Sequence, residues 1–536
     1  MAELGADKLL FFHRTRLREK YGTSGARRVV AALDRLIDAD DDRGVESVRV
    51  DLSSTRSLKK YGRTRVADEN DVEAIVDAVQ TVAALAEPDY VALIGGPDVI
   101  PHVALDNPLA GTADPDPDVL SDLPYACTNG FTTDATTLVA PSRAVGRLPD
   151  LPGAHNPNPL IAIIDAARAW IPFTAEHYRS HLTVSTVTWK GSTEESSDRL
   201  FGGVDVRLAP PDGPVWTDDE LERPTHFLNL HGATADPRFF GEDFAGAFPV
   251  AHSSTEVAGR IAPGALCTAE CCYGAEIFDP AFAGGVEPIP HTYLQSGAYA
   301  YVGATGTSYG PPIGNGGADL LCRFFLEEVF GGASTGRAFL QARHRYIRDQ
   351  PILRPVDAKN LAQFILLGDP SIHPVVRIGD ARAPLHDLPD PNGDAPKSAR
   401  IATRLVAPGR AERRRNLEAA AWALGQTTVV ATDDAAEVPD DLVAKITTVA
   451  GVRVGAGARA KDMALVKPAH VHGLGGPQSR LGVVVAPRRG DDDPPRRRRP
   501  RPRSSLRRAP QAVDLVVVTA KIDDGEIVGW STAMSR

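Results

Sequence analysis

Residues 225–232 read Thr-His-Phe-Leu-Asn-Leu-His-Gly, and residues 265–272 read Ala-Leu-Cys-Thr-Ala-Glu-Cys-Cys. Each is a short apolar run that stops at residues able to do chemistry, the first at His231-Gly232 and the second at Glu270-Cys271-Cys272. A third run, Ala-Tyr-Ala-Tyr-Val over 298–302, stops at Gly303-Ala304-Thr305-Gly306. Short apolar runs bounded by turn residues fit strands buried on both faces of a parallel sheet. In open α/β sheets the ligand lies beyond the carboxyl ends of the strands, so His231, Cys272 and Thr305 are expected along one rim.

The same alternation of helix and strand extends in both directions. Residues 70–86 carry Val72, Ile75, Val76, Val79 and Val82 at helical spacing behind Asn70-Asp71 as caps. They feed the run Tyr90-Val91-Ala92-Leu93-Ile94, which ends at Gly95-Gly96-Pro97. Residues 27–37 and 45–52 read as another helix and strand. On the far side, residues 320–330, 337–347 and 358–366 read as closing helices, the last running into Leu367-Gly368-Asp369-Pro370. The expected fold class is therefore α/β, an open, mostly parallel sheet flanked by helices.

With 536 residues the chain is long enough for two or three domains. We read an N-terminal α/β subdomain at 1–150, a catalytic α/β subdomain at 151–376, an Asp- and Pro-rich linker at 377–400 and a C-terminal region at 401–536. Within that last region, 410–424 reads as a helix, and 513–518 with 522–528 as a hairpin across Asp524-Gly525. Hydrophobic residues make up 43% and charged residues 24%, which excludes wholesale disorder. Residues 488–508 hold ten arginines against three aspartates, a local charge of +7 that leaves −17 on the rest of a chain whose total is −10. This Arg/Pro stretch reads as a flexible arm. It has no interleaved aromatic residues to stack bases, so no specific nucleic-acid partner is expected.

Five cysteines are too few, and the wrong parity, for a disulfide scaffold. No signal peptide and no run long enough to cross a membrane is evident. The expectation is a cytoplasmic protein with reduced thiols and no membrane partner.

A thiol nucleophile needs an imidazole to take and return its proton, and backbone N–H groups aimed at the developing oxyanion. His231 and Cys272 at neighbouring strand ends supply the first two. Gly232, lacking a side chain, lets a carbonyl approach its N–H, and the Cys272 N–H is the second donor. Alternation along an extended segment turns Cys271 away from Cys272, although a one-residue slip would exchange their roles. Cys267, Cys127 and Cys322 read as inert core. A second His-Gly pair, His472-Gly473, follows the cysteines in the chain and has no strand close before it.

These residues resemble the gingipain-type cysteine peptidases, which share a caspase-like fold with caspases, legumains and separases. The stretch Thr268-Ala269-Glu270-Cys271-Cys272-Tyr273-Gly274-Ala275 is similar to that family's Glu-Ala-Cys-Tyr-Gly-Ala form, with Cys271 where Ala is usual. Residues 90–101 (YVALIGGPDVIP), 121–125 (SDLPY), 144–149 (AVGRLP) and 366–371 (LLGDPS) resemble further family segments in the same order. The resemblance covers roughly residues 26–376. It implies two caspase-like α/β subdomains, Cys272 as nucleophile and hydrolysis of protein or peptide substrates through a thioester. Thr305, Thr307, Ser308 and Tyr309, in the loop after the third strand, are the substrate-pocket candidates. One departure stands out: the family's acidic residue, suggested to orient the histidine, corresponds to Ser142.

No cofactor is required for this chemistry. Zinc on Cys267, Cys271, Cys272, His470 and His472 is disfavoured, because adjacent Cys271-Cys272 point apart and no second Cys-x-x-Cys pair exists. Calcium, known in the fold group, is a candidate at the acidic stretch 114–122, which lacks the Gly turn and terminal Glu of a helix-loop-helix site. The competing reading is a catalytically silent caspase-like module used for binding or scaffolding.

Overall fold

A computed structural model describes residues 5–376 except 69, 312 and 351, together with 410–425, 428–429, 435–437, 445, 463–466, 480–487, 515–523 and 526–535. The expected linker at 377–400, the arm at 488–508, and His470 and His472 lie outside the described residues.

Ten strands form one sheet. In chain order they are β1 (Lys8–Phe12), β2 (Ser47–Asp51), β3 (Tyr90–Ile94), β4 (Ala144–Leu148), β5 (His181–Ser185), β6 (Arg207–Leu208), β7 (Thr225–Asn229), β8 (Leu266–Ala269), β9 (Ala300–Ala304) and β10 (Phe364–Leu367). Their spatial order is β2-β1-β3-β4-β10-β9-β8-β7-β5-β6. Every neighbouring pair is parallel except β9–β10, which is antiparallel. The strand direction therefore reverses once, at the centre. The carboxyl ends of β1, β3 and β4 emerge at one edge of the sheet, and those of β7, β8 and β9 at the opposite edge. Both α/β stretches read from the sequence contribute to this single sheet.

The central strands are buried along their whole length, which is why they read as unbroken apolar runs. The helix Val72–Ala86 begins where Asp71 accepts a hydrogen bond from the Ala74 N–H, as its capping residues predict. The long helix Arg14–Asp42 bends at Gly22, whose φ of 69° a residue with a side chain would adopt only at a cost. One expectation fails: residues 358–366 are not a single helix. The helix Pro355–Gln363 stops and Phe364–Leu367 becomes β10, the central antiparallel strand. A four-residue apolar run carries no periodicity to separate buried strand from buried helix.

Three of the family-like segments meet on one side chain. Arg147, fully buried on β4, donates to Asp122 (Nε–Oδ2 2.8 Å), to the Gly95 carbonyl at 2.9 Å and to the Ile100 carbonyl at 2.7 Å. His102 closes the network on Asp122 at 2.8 Å. The fourth, LLGDPS, supplies Asp369, which pairs with buried Lys8 at 2.7 Å and so ties β10 back to β1.

Beyond the sheet, Arg410–Gly425 is a helix, as expected, and its buried Arg414 donates to the Pro88 carbonyl at 3.2 Å. Leu515–Asp523 and Glu526–Ser535 pair antiparallel with Asp523 opposite Glu526, so the expected hairpin forms with longer arms. Another sheet, six-stranded among the described residues, contains this hairpin, and one of its edge strands is Tyr309–Gly310, paired with Ser535 and Met534.

Candidate active site

The pairing of β7 with β8 runs Thr225 opposite Leu266 through Leu228 opposite Ala269. Continued by three residues, the same register sets His231 level with Cys272. The chain beyond the strands keeps them together: Gly232 packs so tightly on Cys272 that a Cβ there would collide with the Cys272 carbonyl oxygen. That contact gives Gly232 a steric reason in addition to the access it offers at its N–H.

Cys271 and Cys272 face different surroundings, as alternation predicts. The Cys271 thiol donates to the Leu228 carbonyl at 3.8 Å, inside the sheet, whereas the Cys272 thiol donates to the Ser308 carbonyl at 3.7 Å. Immediately after Cys272, Tyr273 takes a left-handed backbone conformation with φ 54°. A non-glycine residue held there stores strain of about 1–3 kcal/mol. The surrounding bonds over-determine it: Tyr273 N–H donates to the Gly306 carbonyl at 2.8 Å, and its hydroxyl to Asp116 at 2.6 Å.

His231 is fixed through its backbone. It exchanges both hydrogen bonds with Phe240, at 2.9 and 2.8 Å, so the hairpin formed by Arg238–Phe240 and Val250–Ser253 is sewn onto the end of the histidine strand. The ring lies between Trp189, with centroids 4.6 Å apart, and Phe248, edge-on at 4.7 Å. Its Nε2 faces the buried Glu242 carboxylate at 3.4 Å. Ser142, where the family-like pattern leads one to look for an acid, donates its N–H to the Ala126 carbonyl at 3.1 Å. Glu242 was not singled out from the sequence. The signal that bears on it is an acidic residue two positions past the strand that pairs back on the histidine.

Glu276 is a second carboxylate that the sequence reading passed over. It accepts from the Thr234 hydroxyl at 3.0 Å and from the Ala235 N–H at 2.7 Å, joining the loop after His231 to the turn after Cys272. Burial pushes its carboxyl up to about 7.

The four pocket candidates divide. Ser308 borders the thiol through its carbonyl, and its hydroxyl donates to the Glu270 carbonyl at 2.8 Å. Thr305 donates to the Leu120 carbonyl at 2.6 Å, the Thr307 N–H to Asp116 at 2.7 Å, and the Tyr309 hydroxyl to Asp114. These three hold the loop against the acidic stretch. Part of that stretch's charge is met by protein cations. Buried Lys359 sits 2.6 Å from Asp114 and 2.7 Å from Asp116. Burial by itself raises the Asp116 carboxyl, but Lys359, Tyr273 and the Thr307 N–H bring it below its ordinary value. Asp122 is held by Arg147 and His102. Asp114, Asp116 and Asp122 are thus bound to protein cations, and the described residues contain no cluster of three or more metal-ligating side chains.

Cys127, Cys267 and Cys322 are buried, and burial pushes the Cys127 thiol up to about 12 and the Cys267 thiol well above its ordinary value. Neither is a thiolate near neutral pH.

Residues 264–375 match the model of peptidase family C25. This is the gingipain-type family whose motifs the sequence resembles. The matched segment contains the cysteine strand, Cys272, the Thr305–Tyr309 loop and the closing helices, while His231 lies upstream of it. Among solved structures, one solved as "Structure of Protease" is similar over 69% of this chain and 79% of its own, at 16% identity and a TM-score of 0.45. Two structures of the Saccharomyces cerevisiae separase–securin complex are similar over 44% and 58% of this chain, but over only 14% and 18% of theirs. Their identities are 13% and 11%, with TM-scores of 0.26 and 0.27. No curated protein sequence matches. No helix among the described residues is long and apolar enough to cross a membrane.

Proposed function

We propose that this protein is a cysteine endopeptidase acting through a His231–Cys272 dyad. The observation that carries the reading is the matched register of β7 and β8, with Gly232 against the Cys272 backbone. The C25 match over the cysteine segment supports the same class of reaction.

In the proposed cycle His231 takes the Cys272 proton, and the thiolate attacks the scissile carbonyl carbon. The carbonyl π electrons move to oxygen, where the Gly232 and Cys272 N–H groups stabilise the oxyanion. Collapse breaks the C–N bond as the imidazolium protonates the departing amine, leaving a thioester. His231 then deprotonates a water, which attacks the thioester. The acid product leaves, and the thiol is restored. A dyad suffices because a thiol is far more acidic than a serine hydroxyl and a neighbouring imidazolium lowers it further. None of these steps calls for a metal or organic cofactor. The substrate is a protein or peptide whose residue before the scissile bond lies along the Thr305–Tyr309 loop.

The test is cleavage of a peptide library varied at that residue by the wild type, Cys271→Ala, Cys272→Ala and His231→Ala, with and without calcium. Activity lost in Cys272→Ala and His231→Ala but kept in Cys271→Ala is the expected result. Folded wild type that cleaves nothing, even after limited proteolysis, favours the binding-module reading.

A further inference from the structure

We propose that Glu242 is the positioning residue of the dyad, orienting the His231 ring and stabilising its protonated form in place of an acid at Ser142. This inference rests on the peptidase reading above. It starts from the construction of the hairpin, which presents a carboxylate to Nε2 at 3.4 Å from a backbone that cannot easily move. The Glu242 N–H donates to the Ala209 carbonyl at 3.0 Å, and its carbonyl accepts from the Val187 N–H at 3.4 Å. The preceding Gly241 donates to the Pro249 carbonyl at 2.8 Å and lies where a Cβ would strike the Ala209 carbonyl.

The hairpin and the ring are also one mechanical unit. Phe240 is paired with the His231 backbone, so any shift of the histidine carries Glu242 with it. Trp189 and Phe248 are uncharged and pack against the imidazole, and this low-dielectric setting strengthens the attraction between carboxylate and imidazolium. Such an arrangement fixes the tautomer and the ring plane, as supporting carboxylates do for other working histidines.

Wild type, Glu242→Gln, Glu242→Asp, Ser142→Ala and His231→Ala would be compared in two assays, with thermal melting to verify folding. The first is steady-state peptide cleavage against pH. The second is the rate of iodoacetamide alkylation of Cys272, read by peptide mass mapping against pH, which needs no substrate. Glu242→Gln is expected to lower kcat about 10–100-fold with little change in KM. It should also slow Cys272 alkylation at neutral pH, because the imidazolium that pairs with the thiolate loses its counter-charge. Glu242→Asp should recover part of the loss, and Ser142→Ala should match wild type. Alkylation that depends on His231 but is unchanged in Glu242→Gln overturns the positioning role while leaving the dyad standing. Alkylation of wild type that follows an ordinary thiol profile and ignores His231 overturns both.

Discussion

At one edge of the ten-stranded sheet, β3 and β4 run out into Gly95-Gly96 and Pro149-Asp150, and the polar groups there consume one another. Arg147 takes Asp122 and two carbonyls, and Asp150 takes Lys20 at 2.9 Å, the Tyr21 hydroxyl and the Gly96 N–H. At the opposite edge, β7 and β8 run out into His231-Gly232 and Cys271-Cys272, with the Glu242 carboxylate and two aromatic rings against the imidazole. The secondary structure is the same at both edges. In the proposed reading what differs is use: the network at the first edge stabilises the sheet, and the second edge carries the groups proposed to react.

The sharpest way to break this contrast is a pair of matched glycine substitutions. Gly232→Ala drives a methyl into the Cys272 carbonyl, and kcat/KM should fall about 10²-fold or more, since small misplacements at reacting groups cost this much. Gly96→Ala meets the Asp150 carbonyl at 2.5 Å on the other edge. It should destabilise by about 1–3 kcal/mol in urea titration and leave kcat/KM of the folded fraction unchanged. Equal loss of activity in both would dissolve the distinction.

Arg147→Met tests the first edge directly. It leaves Asp122 buried with only His102 facing it, and a loss of about 3–5 kcal/mol is expected by denaturation, again with kcat/KM of the folded fraction near wild type.

Acid should separate the edges as well. Within the half of the sheet that holds β7, burial pushes His226 down to about 4; His252, lowered by burial and by His226, falls to about 3; both rings reach the Tyr293 hydroxyl. Because the folded forms stay neutral, the unfolded chain alone takes up protons as pH falls below about 6.5. Their stabilisation is complete above that value and is lost as pH falls toward 4. Asp122 is driven up by burial but brought well below its ordinary value by Arg147, so its contribution holds above the ordinary carboxylate range and is lost only in stronger acid. Melting temperature against pH should therefore begin to fall near 6.5, and His252→Phe should flatten that first decline.

The smallest effect is expected from Cys271→Ala, which removes one buried sulfur. Stability should fall by about 1 kcal/mol, and cleavage should survive.

Much of this architecture was legible because buried parallel strands announce themselves: Tyr90–Ile94 was read to the residue, and the runs ending at His231 and Cys272 were read within two. β10 was not, since Phe364–Leu367 follows a helix without a turn residue and four apolar residues carry no period. The reversal of strand direction at the sheet centre depends on that strand and was lost with it. At the candidate site, strand ends, alternation and motif resemblance single out His231, Gly232 and Cys272 in the local sequence. Glu242 was not readable, because its approach to His231 depends on a hairpin pairing back through Phe240, a tertiary contact that no spacing encodes. The acid was sought at Ser142, where motif order pointed, and the fold offers one from the other side of the histidine.

The most direct test of the account is covalent trapping with a peptide bearing an electrophilic ketone at the scissile position, followed by mass mapping of the labelled residue. The account predicts a single label on Cys272, kept in Cys271→Ala and lost in His231→Ala. Label on Cys271, or label on Cys272 at an undiminished rate in His231→Ala, would contradict it.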